Sequence, residues 1–122
     1  MSRSIYLASP YSDPDAAVRQ GRYEAVFAAT RRLMAEGLIV FSPIVYSHQF
    51  ALLDGPGDWE SWREFDTHML REMQQLSIYT IPGWEDSVGV WAERTFAQKF
   101  AMAVRYELPT DAELALLKGE TP

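Results

Sequence analysis

The chain has no cysteine and only two histidines among its 122 residues. The first absence removes disulfides, thiol nucleophiles and thiolate metal sites together. Two histidines and scattered acids offer no metal-ligand spacing, so neither a metal nor a cofactor is expected. Long apolar runs are missing too. None approaches the ~20 residues that a membrane span needs. The stretch Ile5 to Ala8 behind Met1-Ser2-Arg3 is shorter than a signal-peptide core of about 7–15 residues. A cytoplasmic location and no membrane partner are therefore expected. Basic charge is scarce as well, with 11 Lys and Arg against 17 Asp and Glu, a net charge of −6. A nucleic-acid surface needs a basic stripe, so no nucleic-acid partner is expected; a small anionic ligand, held by local donors, is not excluded. No G-x-G-x-x-G or phosphate-loop signature occurs, which disfavours nicotinamide and ATP chemistry.

What the chain does have is apolar content, 48% of its residues, and a length suited to one core. A single domain over 1–122 is expected. Ile5-Tyr6-Leu7-Ala8 is a short β-type run closed by Ser9-Pro10. Asp13-Pro14 marks a helix start, with Asp as N-cap and Pro in the first helical position. Tyr23, Val26, Phe27, Leu33 and Met34 then recur at helical spacing up to Gly37, a natural helix stop. Leu38 to Phe41 reads as a second buried strand stopped by Ser42-Pro43. A loop with some helical turn follows, holding Tyr46, His48 and Phe50, and Gly55-Pro56-Gly57 breaks the chain. The locally dense acids Asp54, Asp58, Glu60, Glu64 and Asp66 read as a solvated loop and helix face. Phe65, Met69, Met73 and Leu76 predict a helix from about Trp59 to Gln75. Ser77 to Ile81 is the third strand, ended by Pro82-Gly83. Ser87 caps a helix to about Met102, Ala103 to Leu108 forms a fourth strand, and Thr110 with Glu113 makes a capping box for a last short helix.

Strands alternating with helices predict an α/β fold: a flavodoxin- or Rossmann-like three-layer sandwich with a parallel sheet of four to five strands. Ligands in such sheets bind beyond the strand C-termini, at a switch point in strand order. Three loops reach that edge: Ser9 to Asp13, Ser42 to His48, and Pro82 to Ser87. With Ser87 as N-cap, the amides behind it favour an anion. Glu93 leans over the turn that contains Gly89, where no side chain covers it. A helical glycine costs roughly 1 kcal/mol relative to alanine, and close approach of a ligand is one compensation. Taken alone, Glu93 reads more readily as a solvated helix acid, and Gly89 as a packing contact.

Ile5-Tyr6-Leu7-Ala8-Ser9-Pro10-Tyr11, the acid Asp66 before the third strand, and Ser87-Val88-Gly89-Val90-Trp91-Ala92-Glu93 resemble, in order, the nucleoside 2-deoxyribosyltransferase superfamily. The resemblance runs from Tyr6 to about Met102. It implies that Glu93 attacks the anomeric carbon of a nucleoside or nucleotide. A covalent glycosyl-enzyme forms, the base leaves, and water or a second base resolves the intermediate. Tyr6 is then implied to orient Glu93 through its hydroxyl, and Asp66 to hold the sugar or assist at the base. Transferases of free nucleosides carry aspartate six residues before the nucleophile. Ser87 stands there in this chain, as in the superfamily's nucleoside 5′-monophosphate N-glycosidases, where serine binds phosphate. A shift of one residue would restore an acid, Asp86, and reverse that inference. The segment Ser42 to His48 is similar to a bacterial and phage branch of the superfamily.

The expected catalytic residues are thus Glu93, Tyr6 and Asp66, and the expected substrate-binding residues Ser9, Pro10, Tyr11, Ser12, His48, Trp84, Ser87 and Gly89. Ser9 and Ser12 serve equally as turn formers beside Pro10 and Asp13. His48 donates to a base or phosphate, or is a polar loop residue. Trp84 stacks on a base, or is buried at a subunit contact. His68 points away from Asp66 on the same helix and should be exposed. Trp59, Trp62 and Trp91 exceed what a core of this size needs, which, with the superfamily's habit of assembly, implies a homodimer or larger homo-oligomer. The expected activity is cleavage or base exchange at the N-glycosidic bond of a nucleoside 5′-monophosphate. The alternative is a non-catalytic nucleotide-binding or sensor module of the same fold.

Overall fold

A computed structural model describes residues 3–55, 57 and 59–119. The sequence readings that fell on Met1, Ser2, Pro56 and Asp58 lie outside the described residues. Strands β1 (Ser4–Ala8), β2 (Ile39–Phe41), β3 (Gln75–Tyr79) and β4 (Ala103–Glu107) form one parallel sheet in the order β2-β1-β3-β4. The helices are α1 (Ala16–Ala35), α2 (Pro43–Asp54), α3 (Trp59–Arg71), α4 (Val88–Lys99) and α5 (Asp111–Leu117). The expected α/β architecture with a parallel sheet is present. No helix among the described residues is long and apolar enough to cross a membrane.

The period-two alternation of the central strands sorts the core into two layers. On one face Tyr6, Ala8, Leu76 and Ile78 pack against Leu70 of α3 and Val90 and Ala97 of α4. On the other, Leu7, Tyr79 and Ile81 meet Ala25, Val26, Ala29 and Leu33 of α1. Helix α5 lies over α1 at Gly21, where a Cβ would sit 2.9 Å from the Leu117 carbonyl oxygen. Glu113 anchors α5 from below: Arg32 donates to both of its carboxylate oxygens at 2.8 and 3.2 Å, and the Tyr79 hydroxyl donates at 2.6 Å. Although burial pushes Glu113 up, those bonds and one from the Thr110 amide hold it below the ordinary carboxylate value.

Several boundaries differ from the sequence expectation, each for a local reason. Helix α1 starts at Ala16 with Asp15 as N-cap, its carboxylate accepting from the Ala17 amide at 2.9 Å. Asp13 accepts instead from the Asp15 amide and shapes the loop before the helix. At the other end Gly37, at φ +90°, closes the helix as expected: its amide and that of Leu38 reach the Met34 and Leu33 carbonyls. Strand β2 is an edge strand, so Ile39 is 57% exposed rather than buried. The segment expected as a loop is helix α2. Ser42 caps it through the Val45 amide, Pro43 takes the first turn, and Gly55 at φ +85° ends it. Helix α3 stops at Arg71, because Gln74 donates to the Ser4 carbonyl and Gln75 already pairs with Ile5. Met73 and Leu76 therefore do not belong to its stripe, and β3 begins two residues earlier than expected. Helix α4 ends at Lys99, where Ala101 turns at φ +55° and the Met102 amide reaches back to Ala97.

Candidate active site

The strand order reverses between β1 and β3: the chain leaves β1 toward β2 and returns to β3 on the other side. The loops that follow these two strands part at their C-terminal ends, and a cavity of about 630 Å³ opens there. That volume suits a small organic ligand, for which pockets of about 300–1,000 Å³ are usual. The loop after β1 supplies Ser9, Pro10, Tyr11 and Ser12 to its wall, and the entry to α4 supplies Ser87 and Gly89. Asp66 of α3 and Glu93 of α4 also line it.

Ser87 caps α4, its hydroxyl oxygen accepting from the Val90 amide at 3.2 Å. Its hydroxyl proton remains available for a ligand. Two turns on, Glu93 is almost fully buried. The Tyr6 hydroxyl, carried on the buried central strand β1, donates to Glu93 Oε2. Burial pushes the Glu93 carboxyl up to about 8; the Tyr6 bond pulls against that rise and the charge of Asp66 adds to it. Tyr6 itself is raised well above its ordinary value, by burial first and then by the two carboxylates. Asp66 is pushed up to about 7 by burial. Its Oδ1 and the Ser9 hydroxyl are buried polar atoms with no hydrogen-bond partner among the described residues. Each such atom costs about 1–3 kcal/mol unless something satisfies it, and both border the cavity.

Gly89 also lies on the wall. A Cβ there would meet Trp59 Cε3 at 3.7 Å and the Ser87 hydroxyl at 4.0 Å, ordinary contact distances. Nothing among the described residues therefore demands glycine at this place, while the cavity side gains room from it.

Two expected site residues are elsewhere. His48, on α2, is 4% exposed and does not line the cavity. Its Nδ1 meets the Tyr11 hydroxyl at 2.8 Å, its Nε2 meets Gln20 Oε1 at 3.0 Å, and its ring stacks on Tyr23. Both ring nitrogens are engaged, so direct donation to a ligand is replaced by contact with Tyr11. Trp84 is not at the rim either. It packs on the core beneath α4, with its ring edge-on to Tyr106 at 5.7 Å. His68 is exposed, as expected.

Other residues take the places that the sequence reading gave away. Trp59 and Trp62, expected at an assembly surface, line the cavity, and Trp59 also borders a second, more open hollow beside Trp91. Trp91 is 55% exposed, with the Arg94 guanidinium over its ring. Arg22 of α1 is the only cationic side chain on the cavity wall among the described residues, which otherwise carries Asp13, Glu60, Asp66, Asp86 and Glu93. Its Nη2 passes 2.5 Å from where a Cβ on Gly83 would stand, and Gly83 is at φ +98°. Gly83 thus serves the turn and also clears a path for Arg22. An arginine on a helix otherwise looks solvated, so only that glycine was a signal.

The family described as a domain of unknown function (DUF1937) matches residues 3–107. The chain belongs to that family. No curated protein matches the chain.

Proposed function

We propose that the protein cleaves, or exchanges the base at, the N-glycosidic bond of a nucleoside 5′-monophosphate, with Glu93 as nucleophile. One observation carries this reading: a buried carboxyl on the cavity wall, held by a buried tyrosine hydroxyl and paired with no cation among the described residues. A purely structural glutamate in such a place would ordinarily be paired. Ionised Glu93 forms a bond to the anomeric carbon as the bond from that carbon to the base nitrogen breaks. The bonding pair leaves with the base, which takes a proton from Asp66. With its carboxyl near pKa 7, Asp66 is partly protonated at neutral pH and suits that step. Asp66 then takes a proton from water as the water oxygen attacks the same carbon and expels Glu93. A second base in place of water gives exchange. The phosphate is placed at the start of α4, where the Ser87 hydroxyl, the first helical amides and Arg22 donate.

The binding-module reading is favoured by a different observation. A Glu93 carboxyl raised to about 8 is mostly neutral at pH 7, and a neutral carboxyl does not attack. The two readings part when purified protein is incubated with purine and pyrimidine nucleoside 5′-monophosphates and the matching free nucleosides. Free base, released with a bell-shaped pH dependence centred between the two carboxyl values, at about pH 7.5, supports catalysis. Tight nucleotide binding without base release overturns it in favour of the module. Ser87→Asp sets a carboxylate against the phosphate and should weaken the monophosphates while sparing nucleosides. A wild type that prefers free nucleosides overturns the phosphate placement.

A further inference from the structure

His48 and Tyr11 form the inner end of a hydrogen-bonded chain whose direction can be worked out from its outer end. The Glu24 carboxylate accepts only, so the Gln20 Nε2 amide group faces it, at 3.3 Å. That turns Gln20 Oε1 toward His48 Nε2, at 3.0 Å. A carbonyl oxygen also accepts only, so Nε2 carries the imidazole proton. In the neutral ring Nδ1 is then an acceptor, 2.8 Å from the Tyr11 hydroxyl. The titratable groups around the ring are Arg19, Tyr23 and Glu24 of α1 and Tyr11 of the first loop. Burial and the charge of Arg19 hold His48 below its ordinary value against the opposing pull of Glu24. Arg19 also acts on Tyr11, and a guanidinium only donates, so it gives the phenol no other acceptor.

We propose that Glu24, Gln20 and His48 fix the Tyr11 hydroxyl proton on His48 Nδ1, so that Tyr11 meets the ligand as a hydrogen-bond acceptor and selects an N–H or O–H donor. Tyr11 lines the cavity, whereas His48 acts only through it and is a positioning residue. A carbonyl or phosphate oxygen at this point would face a second acceptor. A sugar hydroxyl or a base amino group is matched. Protonation of His48 turns Nδ1 into a donor, drives the phenol proton toward the cavity and inverts the preference. The identity of the donor as a nucleotide group rests on the function proposed above; the direction of the chain does not.

Long-range proton–nitrogen NMR tests the direction without any ligand, with exposed His68 as an internal reference. The expected result is a persistent Nε2–H tautomer for His48, a mixture for His68, and His48 titrating below the ordinary imidazole value. Gln20→Leu should return His48 toward a mixture. An Nδ1–H tautomer, or no response to Gln20→Leu, overturns the proposal. Calorimetry with adenosine against purine riboside 5′-monophosphate, which lacks the amino group, and with ribo- against 2′-fluoro-2′-deoxyadenosine 5′-monophosphate, reads the ligand side. One donor-bearing member should bind about tenfold tighter in wild type and equally in Tyr11→Phe. Equal binding within both pairs in wild type overturns donor selection. Binding of none of these probes overturns the nucleotide reading instead, and the tautomer measurement then decides the direction of the chain by itself.

Discussion

Replacing Glu93 by glutamine should make the protein more stable at alkaline pH and inactive at every pH. Burial lifts the folded carboxyl from 4.5 to about 8, whereas the unfolded chain keeps the ordinary value. Between those two values the folded chain holds a proton that the unfolded chain has released, so stability falls as pH rises. The contribution is intact below the unfolded value and gone above the folded one. At about 1.4 kcal/mol per unit the whole shift is on the order of 5 kcal/mol. Glutamine keeps the volume and the acceptor for the Tyr6 hydroxyl but does not titrate. Urea-unfolding free energies should therefore separate steadily across this window, the variant gaining a few kcal/mol over wild type by about pH 8. Asp66, raised to about 7 by burial, adds a decline of its own in both proteins, which cancels from the difference except for its repulsion with ionised Glu93, present in wild type alone. Curves that stay parallel from acid to alkaline pH would refute the placement of an ionisable carboxyl in this interior. Unchanged base release by the variant would refute its role as nucleophile.

Tyr6→Phe removes the bond that opposes burial at Glu93. A hydrogen bond to a charged group is worth about 1.5–3 kcal/mol, so Glu93 should titrate about one to two units higher. Base release at pH 7 should then fall about 10- to 100-fold and its pH optimum should move about half a unit to one unit toward alkali, without full recovery because Asp66 loses its proton there; a pH profile that does not move counts against the coupling. Gly89→Ala should stabilise α4 by up to about 1 kcal/mol, since a methyl fits beside Trp59. Nucleotide affinity, followed by calorimetry, should nonetheless drop as the methyl enters the cavity. Glu113→Ala leaves Arg32 and the buried Tyr79 hydroxyl without their partner and should cost about 2–4 kcal/mol in denaturant unfolding. Turnover per folded molecule should be unchanged, because that cluster lies across the sheet from Glu93.

What could be read from the sequence was whatever a few neighbouring residues decide among themselves. Thr110 with Glu113 makes its capping box, Ser87 caps α4, and Gly37 closes α1, each through bonds no more than five residues long. The same reasoning applied evenly would have found α2, because Ser42-Pro43 is the cap-and-proline pattern assigned to Asp13-Pro14. Beyond Asp13-Pro14, Asp15 takes the cap instead, and Asp13 turns to the Asp15 amide. The cavity divides along the same line. Glu93, Gly89 and Ser87 share one helix, so their spacing alone places them on one wall. Arg22, Trp59 and Trp62 reach the cavity from two other helices. Nothing within a turn of them distinguishes a cavity face from a solvated one. His48 shows the limit most clearly. The loop carrying it was expected at the ligand edge, yet helix α2 turns it inward onto Tyr23, and it reaches the cavity through the hydroxyl of Tyr11. A residue that acts through another leaves its signal in the geometry of the pair, where Gln20 and Glu24, some 28 and 24 positions away in the chain, set the direction of the proton.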